Sequence, residues 1–124
     1  MSLARQLLGK KGEALAKKYL QQKGFRVFAT NYSTKYGEID LVSQQGDELV
    51  FVEVKTRKSN RFGHPEQSVT KRKVQHIMRA GHEYMRIHHW TDRPWRIDVI
   101  AITTSENNEP EIVHFTHIDN PANI

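Results

Sequence analysis

Two neighbouring strand-like runs constrain this chain more than anything else in it: Gly37-Glu38-Ile39-Asp40-Leu41-Val42 and Leu49-Val50-Phe51-Val52-Glu53-Val54-Lys55. β-Branched and aromatic residues dominate them, as in strands packed in a sheet. Yet each carries charge. Taking a carboxylate or an ammonium out of water costs several kcal/mol unless it is paired or binds a metal. Asp40, Glu53 and Lys55 therefore need partners, or a site that uses them.

On the second run Val50, Val52 and Val54 share one face by period-two alternation, and Leu49, Phe51, Glu53 and Lys55 share the other. Its first half is apolar on both faces, which predicts a central strand. Glu53 and Lys55 come only at its end and project from one side. The connection Gln44-Gln45-Gly46-Asp47 is a hairpin signal, and in the expected register Asp40 approaches Glu53. Two close carboxylates repel, and one takes up a proton unless a cation intervenes. Oxygen-only ligation with room for water suits Mg²⁺ or Mn²⁺. Such an ion activates water and stabilises charge on a phosphoryl oxygen. Lys55 beside it would orient the water or touch a scissile phosphate. The structural alternative is an ion pair at a solvated strand end, Glu53 with Lys55 or Asp40 with Arg57.

The remaining elements frame these two. Leu8, Gly12, Leu15, Ala16, Tyr19 and Leu20 predict a helix over residues 8–23, closed by Gly24. Residues 25–32 read as a strand. Residues 56–68 read as a mobile loop containing Gly63 and Pro65. Thr70 is an N-cap for a second helix with the stripe Val74, Ile77, Met78, Gly81 and Met85. Residues 96–103 and 111–118 read as strands. A single domain over residues 1–119 and a frayed tail, 120–124, complete the chain. The order α-β-β-β-α-β-β implies an α/β fold with a central mixed sheet flanked by helices.

No run approaches the roughly 18 apolar residues that span a membrane, and the amino terminus lacks a signal-peptide pattern. The expectation is a cytoplasmic protein with no membrane partner. The absence of cysteine excludes disulfides and thiolate-bound zinc. His76, His82, His88 and His89 lack the i, i+4 pairing of a helical zinc site, and His114 and His117 read as surface residues. A net charge of +5 fits an anionic partner such as nucleic acid. From Lys55 to Lys73, seven Lys or Arg residues stand against Glu66 alone. Arg57, Lys58, Arg61, Lys71, Arg72 and Lys73 therefore read as phosphate contacts, with a merely solvated face as the alternative. Trp90 and Trp95 read as packing residues, with base stacking the alternative. Glu38 shares a strand face with Asp40 and is either a further ligand or a paired surface carboxylate. Asp98, inside an apolar run, is either a distant ligand or the partner of Arg96 or a loop.

The spacing Asp, twelve residues, Glu, one residue, Lys resembles the PD-(D/E)xK nuclease superfamily, with Ile39 where its name has proline. More narrowly, the string from Gly37 to Val42 and Phe51-Val52-Glu53-Val54-Lys55-Thr56-Arg57 resemble the YraN-like family of small bacterial proteins. The likeness extends through Gly12-Glu13, Arg61-Phe62-Gly63, Val69-Thr70 and Arg96-Ile97-Asp98-Val99, and so covers nearly the whole chain. Members of that family are predicted endonucleases, distantly similar to archaeal Holliday-junction resolvases. The resemblance implies a restriction-endonuclease-like fold, a catalytic core of Asp40, Glu53 and Lys55, metal on Asp40 and Glu53, and Glu13 near the site. It also implies a DNA substrate, with branched and junction DNA among the candidates, and a homodimer where both strands are cut. Two other readings stay open: a non-catalytic nucleic-acid-binding module on a nuclease fold, and a protein-interaction domain whose charges are structural.

Overall fold

The computed structural model describes residues 3–58 and 69–118. Arg61, most of the expected loop and the expected tail lie outside the described residues. Helix α1 (Leu3–Gln22) leads into three antiparallel strands, β1 (Arg26–Thr34), β2 (Gly37–Gln45) and β3 (Glu48–Arg57). Helix α2 (Lys71–Ile87) then connects β3 to the parallel strand β4 (Trp95–Thr103), and β5 (Glu111–Phe115) returns antiparallel beside it. The sheet order is β1-β2-β3-β4-β5. This is the α-β-β-β-α-β-β mixed sheet that the sequence pattern predicts, and the restriction-endonuclease-like fold that the family resemblance implies.

β3 is the central strand, and Leu49, Val50, Phe51 and Val52 are fully buried. Val50 and Val52 pack with Leu41, Ile100 and Ile102 against Ala16 and Leu20 of α1. Leu49 and Phe51 pack with Val42, Ile97 and Val99 against Val74, Ile77, Ala80 and Tyr84 of α2. Each helix thus covers one face of the sheet. Burying such a side chain contributes about 1.5–3 kcal/mol, so these four residues pin the strand from which Glu53 and Lys55 emerge. Gly81 lets α2 settle onto β3, since a Cβ there would lie 2.6 Å from the Phe51 ring.

The element ends differ from the sequence expectations for local reasons. α1 begins at Leu3, and its extra turns expose Leu3 and Leu7, so no buried face announces them. β3 continues through Thr56 and Arg57, where a loop is expected. Both pair with β4, and Arg57 O accepts the N–H of Thr104 at 2.8 Å. β5 stops at Phe115 rather than Ile118. His117 turns left-handed (φ 56), its N–H goes to Asp98, and the Ile118 N–H goes to Ile97 O. Thr70 caps α2 as expected, accepting the N–H of Lys73. Among the described residues no helix is long and apolar enough to cross a membrane.

Candidate active site

Backbone pairing between β2 and β3 runs from Gln45–Glu48 to Leu41–Val52 and stops, while β3 continues beside β4 to Arg57. The two strands part where the charged residues begin. In the gap Asp40 Oδ2 accepts the N–H of Val54 at 2.8 Å. A carboxylate thus takes the place a main-chain carbonyl would hold in a continued ladder. Across β1, Asn31 falls between the pairs Thr30–Leu41 and Tyr32–Ile39, opposite Asp40, and it is left-handed with φ 51. Asparagine enters that conformation more readily than most residues. Ile39 and Leu41, two apart, fall in opposite cores, so strict alternation breaks at Asp40.

Glu13 reaches the same place from α1. A Cβ on Gly12 would fall onto the Thr56 side chain, so glycine lets the helix approach β3 this closely. One oxygen each from Glu13, Glu38 and Asp40 lie within 4.8 Å of one another. Burial raises the pKa of Glu13. A hydrogen bond with Asn31 opposes the rise, and the charges of Asp40 and Glu38 add to it. Glu53, only 2% exposed, hydrogen-bonds Asp40. Burial, then that bond and the Asp40 charge, push its pKa up to about 8, against the pull of Lys73 and Lys55. Lys55 Nζ stands 3.6 Å from Glu53 Oε2, and Lys73 Nζ stands 3.5 Å from the same oxygen.

Four carboxyl groups therefore gather beside two ammonium groups at one end of the central strand. The family described as "Uncharacterised protein family UPF0102" matches residues 12–102, the span that holds this whole cluster. The chain belongs to that family. It is 49% identical over 79 residues to a UPF0102 protein of Syntrophomonas wolfei, covering 64% of this chain and 69% of the relative. It is 40% identical over 107 residues to one from Renibacterium salmoninarum (86% and 91% covered). It is 40% identical over 111 residues to one from Anaeromyxobacter dehalogenans (90% and 82% covered). UPF0102 is the family of the YraN-like resemblance.

In this UPF0102 protein the structure brings Asp40, Glu53, Lys55 and Glu13 together, and Glu38 joins them through the Glu13–Asp40 cluster. Lys73, which the sequence groups with the phosphate contacts, stands with its Nζ 3.5 Å from Glu53 Oε2. Lys58, Lys71 and Arg72 are exposed, and Arg57 is half-buried at the end of β3. Asn31 is the residue that sequence reasoning missed. Its signal was an asparagine inside the otherwise strand-like Phe28-Ala29-Thr30-Asn31-Tyr32.

Asp98 lies outside this cluster. It is fully buried, and it takes hydrogen bonds from Arg96 (2.9 Å) and the His117 N–H (3.1 Å) and pairs with His114 Nε2 (2.8 Å). Arg96 also reaches Glu48 and Gln45. Burial opposes the charge on Asp98, but the bonds from His114 and Arg96 outweigh it and hold its pKa below the usual carboxylate range. Asp98 is thus the partner of Arg96 rather than a distant ligand. His114 is not a surface residue either, since its other ring nitrogen meets Tyr19 Oη at 3.2 Å and its side chain is 10% exposed. Trp95 packs against Phe51 and His82, while Trp90 carries the Arg93 guanidinium 3.5 Å from its ring centre.

Proposed function

We propose that the protein is a divalent-metal-dependent endonuclease that hydrolyses phosphodiester bonds in DNA. One observation carries this reading: a buried glutamate, an aspartate and two more glutamates meet two lysines where β2 and β3 separate. Carboxyl groups so close repel unless protons or a cation lie among them. The donor set is all oxygen, which fits Mg²⁺ or Mn²⁺. Asp40 and Glu53 would hold the ion, with Glu13 and Glu38 in reach. Bound there, it supplies Lewis acidity for attack of water on phosphorus.

The protein's own groups divide the remaining work. Asp40 is fixed by the Val54 N–H through one oxygen and keeps further lone pairs that an ion could use. Lys55, 30% exposed, stands 3.6 Å from Glu53 and also meets solvent; it would orient a water or hold the scissile phosphate. Arg57, Lys58, Arg61, Lys71 and Arg72 would grip the backbone without reading sequence. Cutting both strands of a duplex or junction would need two such sites, hence a homodimer.

The test is incubation with linear, single-stranded, flapped and four-way-junction DNA in Mg²⁺ or Mn²⁺, beside Asp40→Asn and Lys55→Ala. Cleavage by the wild type that both variants lose is the expected result. Tight binding of every substrate with no cutting would replace the enzyme by a binding module. Absence of binding at low salt would favour an interaction domain.

A further inference from the structure

Lys73 stands in the first turn of α2, where the positive end of the helix dipole disfavours a cation. Lys71 and Arg72 crowd the same turn, which holds no acidic residue. Its main chain is nevertheless fixed on both sides: the Lys73 N–H is taken by Thr70, and the next residue, Val74, is buried in the core. The side chain is thereby aimed at Glu53 Oε2, 3.5 Å away, the oxygen that Lys55 also approaches. A divalent cation bound at that oxygen would lie against both ammonium groups, and like charges so close repel, so one lysine would have to let go. Lys55 sits two residues from Glu53 on the same rigid strand. Lys73 comes from a separate element and is the more exposed of the two, 38% against 30%.

We propose that Lys73 is a displaceable internal counter-ion: it holds Glu53 in the metal-free protein, yields that carboxylate to a divalent cation, and turns its ammonium to a phosphate of the bound strand. The inference rests on the metal-dependent reading of the site. It makes Lys73 a positioning residue whose contact depends on whether metal is present. Phosphate contact and occupancy by metal would then be coupled through one side chain.

Two measurements test it, neither of which needs turnover. The first is Mn²⁺ affinity, read from the electron paramagnetic resonance of free Mn²⁺, for wild type, Lys73→Gln and Lys73→Arg. Removing a competing cation should tighten Mn²⁺ about 5- to 10-fold in Lys73→Gln, the low end of ordinary coupling between sites. Lys73→Arg keeps the charge and holds the carboxylate more firmly, so it should bind Mn²⁺ no better than wild type. The second is the salt dependence of binding to a short linear DNA duplex, with Ca²⁺ as a metal that supports binding, and again in a chelator. Lys73→Gln should flatten the slope of log K against log salt by about 0.9 in Ca²⁺, one phosphate contact, and leave it unchanged in chelator. Lys71→Gln should flatten it in both. A Lys73→Gln protein that folds, yet binds Mn²⁺ as wild type does or more weakly, overturns the role given to Lys73, as does an equal change of slope in both conditions. Wild-type protein that takes up no Mn²⁺ overturns the metal reading itself, and this inference with it.

Discussion

Asp40 and Val54 are joined across the gap between β2 and β3 by a carboxylate-to-main-chain hydrogen bond of 2.8 Å. The aspartate thereby satisfies a strand N–H that no partner strand reaches, while its remaining lone pairs stay available. Asp40→Ala removes the acceptor from Val54 and the partner from Glu53, and should lower unfolding stability by about 1–3 kcal/mol. Asp40→Asn keeps an acceptor of the same shape and should stay within about 1 kcal/mol of wild type while losing Mn²⁺ affinity. Urea unfolding beside Mn²⁺ binding separates the two effects. Wild-type Mn²⁺ affinity in Asp40→Asn would strike Asp40 from the ligand set.

Glu53 gives the metal-free protein a pH dependence of definite sign. Its pKa in the fold is about 8, against an ordinary 4.5 in the unfolded chain. Between these values the folded state keeps a proton that the unfolded state has lost. Stability from this group is therefore full below about pH 4.5, falls as pH rises towards 8, and changes no further above it. The slope inside the window is at most about 1.4 kcal/mol per pH unit. Denaturant unfolding in chelator, at two pH values inside the window, should show the decline in wild type and a flatter response in Glu53→Gln. Equal slopes in the two proteins would mean that Glu53 is not the proton carrier.

Much of this arrangement is legible in the sequence, because side-chain parity is a local property. The alternation from Leu49 to Lys55 yields the central strand and places Glu53 and Lys55 on one face, and the stripe of α2 and its Thr70 cap follow from helical spacing. What stays hidden is long-range. Nothing local tells Thr56 and Arg57 to continue a strand, since their partners Ile102 and Thr103 lie far along the chain. Asp98 and His114 become a buried pair only because β4 and β5 adjoin. Lys73 resembles its neighbours Lys71 and Arg72 until α2 is docked, and then one of three adjacent basic residues faces Glu53. The left-handed turn at Asn31 breaks the period that sequence reasoning relies on.

Asn31 combines an unusual backbone with a hydrogen bond to Glu13, and two substitutions pull these apart. Asn31→Gly accepts φ 51 freely but loses the amide that holds Glu13. It should leave stability nearly unchanged and weaken Mn²⁺ binding. Asn31→Ala loses the amide and also pays for the left-handed conformation, about 1–2 kcal/mol. Thermal unfolding and Mn²⁺ titration of the pair decide the matter. Mn²⁺ affinity that is untouched in Asn31→Gly would leave Asn31 a purely architectural residue.

Gly12 is the point at which α1 meets β3, and so the point that sets how close Glu13 comes to Asp40. A Cβ at Gly12 would fall onto the Thr56 side chain. Thr56 is held in β3 by its pairing with Ile102 and cannot retreat along the strand. Gly12→Ala should therefore push the helix outward, at about 1–3 kcal/mol for overpacking, and carry Glu13 away from the cluster. Gly9 lies one turn earlier with nothing within 4 Å of the position of its Cβ. Gly9→Ala should gain about 0.5–1 kcal/mol from helix propensity alone and leave the site as it is. Thermal unfolding and Mn²⁺ affinity of the two variants should thus move in opposite directions for stability, and only Gly12→Ala should lose metal. Pairing Gly12→Ala with Thr56→Gly opens the space beneath the new methyl. Recovery of Mn²⁺ affinity in that double variant would show that the close crossing of α1 over β3, rather than the glycine itself, delivers Glu13 to the site. Metal binding that is equally intact in Gly12→Ala would show that Glu13 is not needed there.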